Sequence, residues 1–492
     1  MKKKFWVFAL FLGYACSLLF GEIPRKIIVG LGDPYPPFTF VEGNQRPTGI
    51  CPEIIDAAAK IVGIEVEYKQ LLWARLTQEV RNGKIDAVIA LFKTLDRIKY
   101  FEFLDNDLLY EENSLFKLSS SGIKYSGQLK DLEKITVGVV QDYKYGGDFD
   151  QADFLKKEKC LTDQNLVEKL IKKRFDIAIG NNHVINYYAK KLKIQDEIQC
   201  LQPPVFTGFS HVIAFPKSKE KFSNEMAQKF SDAINQLKEN GTYKKILDKY
   251  KFVNKEYSIE LAYNDWSPYY GPDMPNQGPI AEIIREAFKW VGYSTKIEFL
   301  PWANLMEKLK TGRCDAGFAA YYSEQRAKDY IYSDPIGICS RVAFLKKQDL
   351  QINYKKLEDL KLYRIGVTRG YIYAVPEFDN ADYLNKIEST SEEASIMNLL
   401  KKRLDLVIID KAVAQYLLKK KFMTNKNELD FLEFTDRKGE LFLFISKTNK
   451  EADRIKKDFD YGLKQIKEDG TFDRIIKEYE KKYGYSYATD KN

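Results

Sequence analysis

The sequence predicts an α/β protein of two homologous domains in tandem, each made of two α/β lobes joined by a hinge. Three observations carry this. "WARLTQEVRNGKIDAVIALFKTLDR" (Trp73 to Arg97) returns 229 residues later as "WANLMEKLKTGRCDAGFAAYYSEQR" (Trp302 to Arg326). The echo continues at the same offset: Gly49, Glu53, Asp86, Asp105, Asn181 and Gly241-Thr242 meet Gly278, Glu282, Asp315, Asp334, Asp410 and Gly470-Thr471. Near the start the offset is 231, where "YPPF" (Tyr35 to Phe38) meets "WSPY" (Trp266 to Tyr269). A period this long describes duplicated domains, because solenoids repeat about every 20–50 residues. Within each copy, short β-rich runs alternate with longer helical ones, the pattern of βαβ units on a parallel sheet.

In order, the first copy reads strand "KIIVGL", helix Cys51 to Val62, strand "IEVEYKQ", helix Trp73 to Asn82, strand "DAVIAL". The second reads "YSIELAY", helix Ala281 to Val291, "TKIEFL", helix Trp302 to Thr311, "DAGFAA". The middle of each copy begins another such series, "KITVGVV" and "FDIAIGN" in the first and "YRIGVTRG" and "LDLVIID" in the second. Two lobes per domain follow. The expected division is a signal segment 1–21, a first domain 22–252 and a second domain 255–492, with the linker near Phe252 to Tyr257.

The composition is that of a folded globular chain: 45% hydrophobic and 30% charged residues argue against disorder. A net charge of +8 is spread over 78 basic and 70 acidic residues. Lysines interleaved with glutamates read as solvated helix faces, so no nucleic-acid partner is expected. Lys2, Lys3 and Lys4, an apolar run from Phe5 to Phe20 and Gly21 make an export signal, and the run of 16 is shorter than the roughly 20 residues of a membrane span. A periplasmic location is expected; lipid anchoring through Cys16 is the lesser alternative. After cleavage Cys51, Cys160, Cys200, Cys314 and Cys339 remain, at no zinc-binding spacing, and are read as buried apolar residues or one isolated disulfide. With only His183 and His211 available, neither a metal nor a cofactor is expected.

The motifs follow a fixed order in both copies: aromatic-x-Pro-aromatic after the opening strand, Gly and an acid opening a helix, Trp, G-x-x-D-A, Thr/Ser-x-x-Arg, F/Y-x-D, a turn after Gly-Val, D-x-x-I/V-x-N/D and a terminal Gly-Thr. This order resembles the bacterial extracellular solute-binding proteins of the polar amino-acid ABC transporter type, present twice, from about Arg25 to Tyr250 and Lys255 to Tyr483. The resemblance implies periplasmic-binding-protein-like Venus flytraps that close on a ligand between their lobes. Their crossings are expected near "NSLFKLS" and "HVIAFPK" in the first copy and near "RVAFLKK" and "LFLFISK" in the second.

It also implies a ligand set. Arg97 and Arg326 would clamp a carboxylate, as a guanidinium can donate two parallel hydrogen bonds to one; the bland reading is a salt bridge with Asp96 or Glu324. Thr94 and Ser323 would add hydroxyls to the same anion. Trp73 with Tyr35, and Trp302 with Trp266, would sandwich the ligand side chain, while Phe38 and Tyr269 are read as packing. Asp410 would accept from the ligand ammonium, whereas Asn181 has lost that charge, so the second domain is expected to take an α-amino acid and the first a different carboxylate or nothing tightly. In the turns "QDYKYGG" and "TRGYIYA", Tyr143 and Tyr371 stand where the family has a small hydroxyl residue, which implies a different ligand pose.

The implied function is binding of a small polar solute, an amino acid or related carboxylate, for delivery to an ABC permease. The alternatives are a soluble sensor feeding a membrane receptor and, as the lesser one, a periplasmic dehydratase-like enzyme on the same fold. An enzyme is not expected: no Ser-His-Asp or Cys-His set is visible, Asp86 and Asp315 read as structural turn residues, and Glu53 and Glu282 suit a helix N-terminus.

Overall fold

The computed structural model describes residues 25–41, 46–255 and 257–484. The signal segment and Cys16 lie outside them. The chain divides into two compact units, Met1–Lys255 and Glu256–Asn492.

The first unit holds β1 (Lys26–Leu31), β2 (Glu65–Gln70), β3 (Ala87–Phe92), β4 (Phe101–Phe103), β5 (Leu108–Leu118), β6 (Thr136–Val140), β7 (Lys156–Cys160), β8 (Ile177–Asn181), β9 (Ile198–Cys200) and β10 (Phe206–Pro216). They are ordered β2-β1-β3-β10-β5-β8-β6-β7, with β4 on β10 and β9 on β5. β1 pairs in parallel with β2 and β3, and β6 with β7 and β8. Between these two parallel groups run the long strands β5 and β10. They pair antiparallel over Leu108–Asn113 and Phe206–His211, then part: β5 continues onto β8 and β10 onto β3. These shared stretches are the lobe crossings. They lie just before the segments expected from the sequence, because "NSLFKL" is already second-lobe sheet and "HVIAFP" already first-lobe sheet. The sheet is therefore mixed rather than parallel, since a chain that crosses to a second lobe and returns must run both ways.

Each lobe buries its sheet under amphipathic helices. Ile27, Val29 and Leu31 of β1 are wholly buried against Ile54, Ile55 and Ala58 of helix Ile50–Val62 and Met226, Phe230 and Ile234 of helix Glu220–Glu239, the i, i+4, i+8 stripe of a core-facing helix. The second-lobe sheet is covered on both faces, by Phe149 and Leu155 on one and by Leu166, Val167 and Leu170 on the other. Gly49, in front of the first helix, has φ 117°, and a Cβ there would sit 2.7 Å from the Phe38 carbonyl oxygen. Gly278 repeats this with φ 96° and 2.7 Å to the Tyr269 oxygen. The repeated glycine thus seats the helix against the aromatic turn that carries Tyr35 or Trp266.

The second unit repeats the plan with β11 (Tyr257–Tyr263), β12 (Tyr293–Phe299), β13 (Ala316–Ala320), β14 (Tyr330–Tyr332), β15 (Gly337–Lys347), β16 (Ile365–Thr368), β17 (Lys386–Ser389), β18 (Leu406–Asp410) and β19 (Leu429–Ser446), ordered β12-β11-β13-β19-β15-β18-β16-β17 with β14 on β19. The crossings pair Gly337–Arg341 with Lys438–Leu441, again just ahead of the expected segments. One strand, β19, does the work of both β9 and β10. Pro203 and Pro204 interrupt the first unit there, whereas β19 contains no proline to break its ladder.

Cys51, Cys160, Cys314 and Cys339 are buried free thiols and Cys200 is a half-buried one. Among the described residues no helix is long and apolar enough to cross a membrane.

The end of the first unit is tied down beyond Phe252. Phe252 packs edge-on against Phe38, Asn254 accepts from Tyr110 N–H at 2.7 Å and donates to the Leu108 carbonyl at 3.0 Å, and Lys255 pairs with Glu112 at 2.7 Å. A fragment 25–255 should melt above a fragment 25–252. Two hydrogen bonds at about 0.5–1.5 kcal/mol each correspond to roughly 2–12 °C for a domain of this size; equal melting temperatures by calorimetry would place the boundary earlier.

Candidate functional site

Between the lobes of the first unit lies an open cleft with about 610 Å³ of empty space, solvent at its mouth included. Tyr35, Trp73, Arg97, Tyr143 and Asn181 line it, as do Asp33 and Asp163. Trp73 starts helix Trp73–Arg81, its ring against Gly32, where a Cβ would lie 3.0 Å from the indole. Arg97 begins a short 3-10 turn held by Thr94, whose hydroxyl oxygen accepts the Arg97 N–H at 3.3 Å. Thr94 therefore shapes the turn and does not line the cavity.

The Arg97 side chain is 7% exposed, with its guanidinium carbon 5.5 Å from the Trp73 ring centre, and donates to the Phe92 carbonyl at 3.0 Å. Among the described residues no carboxylate is within 4.0 Å of it, and Asp96 pairs with Arg81 instead, at 3.1 Å. Burial lowers its pKa to about 10, so it stays charged at neutral pH. The Trp73 Nε1 is also buried without a partner.

Two acids, Asp33 and Asp163, line the same cavity. Asp163 is the first residue of helix Asp163–Ile171, capped by Thr162, and is 2% exposed; it accepts from the Tyr143 hydroxyl at 3.0 Å. Burial raises it to about 7 and raises Asp33 as well. Asn181 does not offer its amide to the cavity. Its Oδ1 caps helix Asn182–Lys191 through the His183 and Val184 N–H groups, and its Nδ2 donates to Glu111 at 2.8 Å. Tyr35 also donates to Glu111, at 2.8 Å. Glu111 sits on crossing strand β5, is 1% exposed and is pushed up to about 7 by burial.

The register explains this arrangement. Asn113 pairs with Asn181 as Val342 pairs with Asp410, so Glu111 and Ser340 are equivalent. The carboxylate missing at position 181 has moved to the facing strand. In the second unit Asp410 accepts from Ser340 Oγ at 3.0 Å, from Tyr269 at 3.2 Å and from the N–H groups of Ala412 and Val413. It is 3% exposed, raised to about 6 by burial, and lies behind Tyr269 rather than in the cavity lining. The ammonium role expected of Asp410 is not one this geometry offers, because every side of its carboxylate is turned to protein.

The second cavity is about 320 Å³, and Trp266, Trp302, Arg326 and Tyr371 line it. Arg326 lies 5.0 Å from the Trp302 ring centre, and Ser323 accepts the Arg326 N–H at 3.2 Å, repeating the first unit. Here, however, Arg326 and Trp302 both donate to the Gly370 carbonyl, at 2.8 and 3.2 Å. Trp266 Nε1 donates to Glu392 at 2.8 Å. Phe38 is a buried packing residue, as expected; Tyr269 is buried too, but its hydroxyl donates to Asp410 and accepts from the Ser340 N–H at 2.6 Å, because the chain brings β15 and β18 against it.

Asp33, Glu111, Asp163 and Glu392 were not legible as site residues. Asp163 and Glu392 share the 229 offset, and "TD" and "SE" each read as a helix start; only the fold turns that start toward the cleft. Glu111 leaves no such signal, since its equivalent is Ser340.

Fold and cleft together define a hinged two-lobe binding protein, present twice in one chain. The chain belongs to the bacterial extracellular solute-binding proteins, family 3, whose model matches residues 27–254 and 259–482. It is similar to an arginine-binding extracellular protein of Bacillus subtilis (strain 168), 29% identical over 234 residues that cover 46% of this chain and 86% of that one. An L-cystine-binding protein of Escherichia coli (strain K12) is 30% identical over 120 residues, 24% of this chain and 45% of that one. Among solved structures, an ancestral arginine-binding protein bound to arginine is 26% identical, with TM-score 0.41, covering 46% of this chain and 99% of that one. The periplasmic domain of B. pertussis BvgS covers 94% of this chain and 91% of its own, with 13% identity and TM-score 0.39.

Proposed function

We propose that the first domain binds a free α-amino acid in its cleft, exported from the cytoplasm and without enzymatic activity. One observation carries this reading: among the described residues, a buried guanidinium with no carboxylate partner shares a cavity with a buried carboxylate whose only side-chain donor is a tyrosine hydroxyl. A zwitterion answers both when water is excluded. The ligand carboxylate sits on Arg97 above Trp73, the ammonium turns toward Asp163, and Tyr35 and Tyr143 flank the side chain. Buried acids outnumber the buried cation, which favours a side chain with a second positive charge, in keeping with the arginine-binding relatives. Delivery to a membrane permease is the role this supports, with transfer of the bound state to a receptor as the alternative.

The test is calorimetry of the whole chain against the twenty amino acids. At a hundred times its dissociation constant the ligand should stabilise the first domain by about 2.7 kcal/mol. Binding of organic acids with no amino acid among the ligands would sink the reading.

A pH dependence follows. Asp163 at about 7 is mostly protonated at pH 6 and mostly ionised at pH 8. An ammonium binds the ionised form, so affinity should fall about tenfold from pH 8 to pH 6, one decade per unit below the pKa. A flat profile in isothermal titrations would exclude Asp163 as the ammonium partner.

A further inference from the structure

We infer that the second domain keeps its cleft closed on its own side chains, with Glu392 as the latch, so that closure there needs no ligand. Asn264, Trp266, Tyr269, Trp302 and Arg326 belong to the first lobe of that unit, and Gly370, Tyr371, Glu392 and Asp410 to the second. Hydrogen bonds run directly between them: Arg326 and Trp302 to the Gly370 carbonyl, Trp266 to Glu392, Asn264 to Tyr371 at 2.9 Å, and Tyr269 to Asp410. The groups that would meet a ligand carboxylate already hold a main-chain oxygen of the opposite lobe, whereas Arg97 holds only one of its own lobe, that of Phe92.

Three sequence changes between the copies produce this. Asp163 becomes Glu392, one methylene longer, so the carboxylate reaches the opposite wall. Tyr35 becomes Trp266: the tyrosine hydroxyl turns to Glu111 on the crossing strand, whereas the equivalent position in the second unit is Ser340 and the indole N–H goes across to Glu392. The third change is in the turn. Gly370 has φ 74°, and a Cβ there would lie 3.3 Å from Trp302 Nε1. Its counterpart Asp142, at φ 62°, carries a side chain, and beside that turn Trp73 Nε1 has no partner.

This inference stands apart from the reading of the first cleft, and its test reads the second unit alone. Helices Trp302–Lys310 and Glu392–Leu400 both start at the cleft and run away from it, so their far ends separate as the lobes open. In residues 22–492 with Cys200→Ser, nitroxide labels at Lys310→Cys and Lys401→Cys should give one narrow distance that none of the twenty amino acids at millimolar concentration moves. Glu392→Ala should lengthen and broaden it by several ångströms. Should that variant not fold, Trp266→Phe, which removes only the indole donor, should broaden it in the same direction. A long, broad ligand-free distribution that an amino acid narrows would overturn the inference. So would an unchanged distance in a folded Glu392→Ala or Trp266→Phe chain.

Discussion

Arg97→Met should leave the first domain folded and lower its affinity for its amino acid by about thirty- to several-thousand-fold. Truncating one partner of a buried charge-assisted pair costs roughly 2–5 kcal/mol. Here the partner left behind is the ligand carboxylate, closed into a cleft in whose lining Arg97 is the one buried cation among the described residues. The empty protein should not suffer. In that state Arg97 is itself a buried charge without a carboxylate, giving one hydrogen bond to the Phe92 carbonyl and stacking on Trp73. A methionine keeps contact with the indole and removes the cost of desolvating the cation. Melting temperature should therefore be unchanged or higher. Affinity within about threefold of the parent would return Arg97 to a structural role, and the amino-acid reading of the first cleft would go with it.

Asp163→Asn should weaken binding by about ten- to a thousandfold, and unlike Arg97→Met it should also flatten the pH profile. The side chain keeps its shape and can still accept from Tyr143, but no charge faces the ammonium. Its effect on the empty protein has a definite sign. Burial raises the folded-state pKa of Asp163 to about 7, well above the usual carboxylate range. A raised acid holds its proton more tightly folded than unfolded, so stability falls as pH rises from about 4 toward 7. Removing the titration removes that fall. The variant and the parent should melt together near pH 4, and the variant should melt higher at pH 8. Parallel melting curves at both pH values, or an undiminished pH dependence of binding, would show that another acid takes the ammonium, and Asp33 would be the next to test.

Much of the architecture was open to reading because it is written locally and twice. The alternation of strand and helix, the glycine that must adopt a positive φ before each first helix, and the Trp and Arg that open and close one motif each follow from a few neighbouring residues. Duplication doubled every such signal. The crossings were placed one half-strand late because "NSLFKL" and "HVIAFP" are apolar sheet segments like any other, and nothing in their composition marks where a strand changes partners.

The sequence by itself determined that there are two hinged domains, what order their elements take, and that each cleft carries an aromatic wall and a guanidinium. It also showed the loss of charge at Asn181. Only the tertiary structure decided what that loss means. Glu111 and Asn181 are 70 residues apart, and Trp266 and Glu392 are 126 apart. Whether such groups meet depends on the register of β5 against β8 and on how far the lobes close, both set by packing summed over the whole unit. A one-methylene difference between Asp163 and Glu392 looks conservative in the chain. Across a closing cleft it separates a carboxylate left for a ligand from one that reaches the far wall.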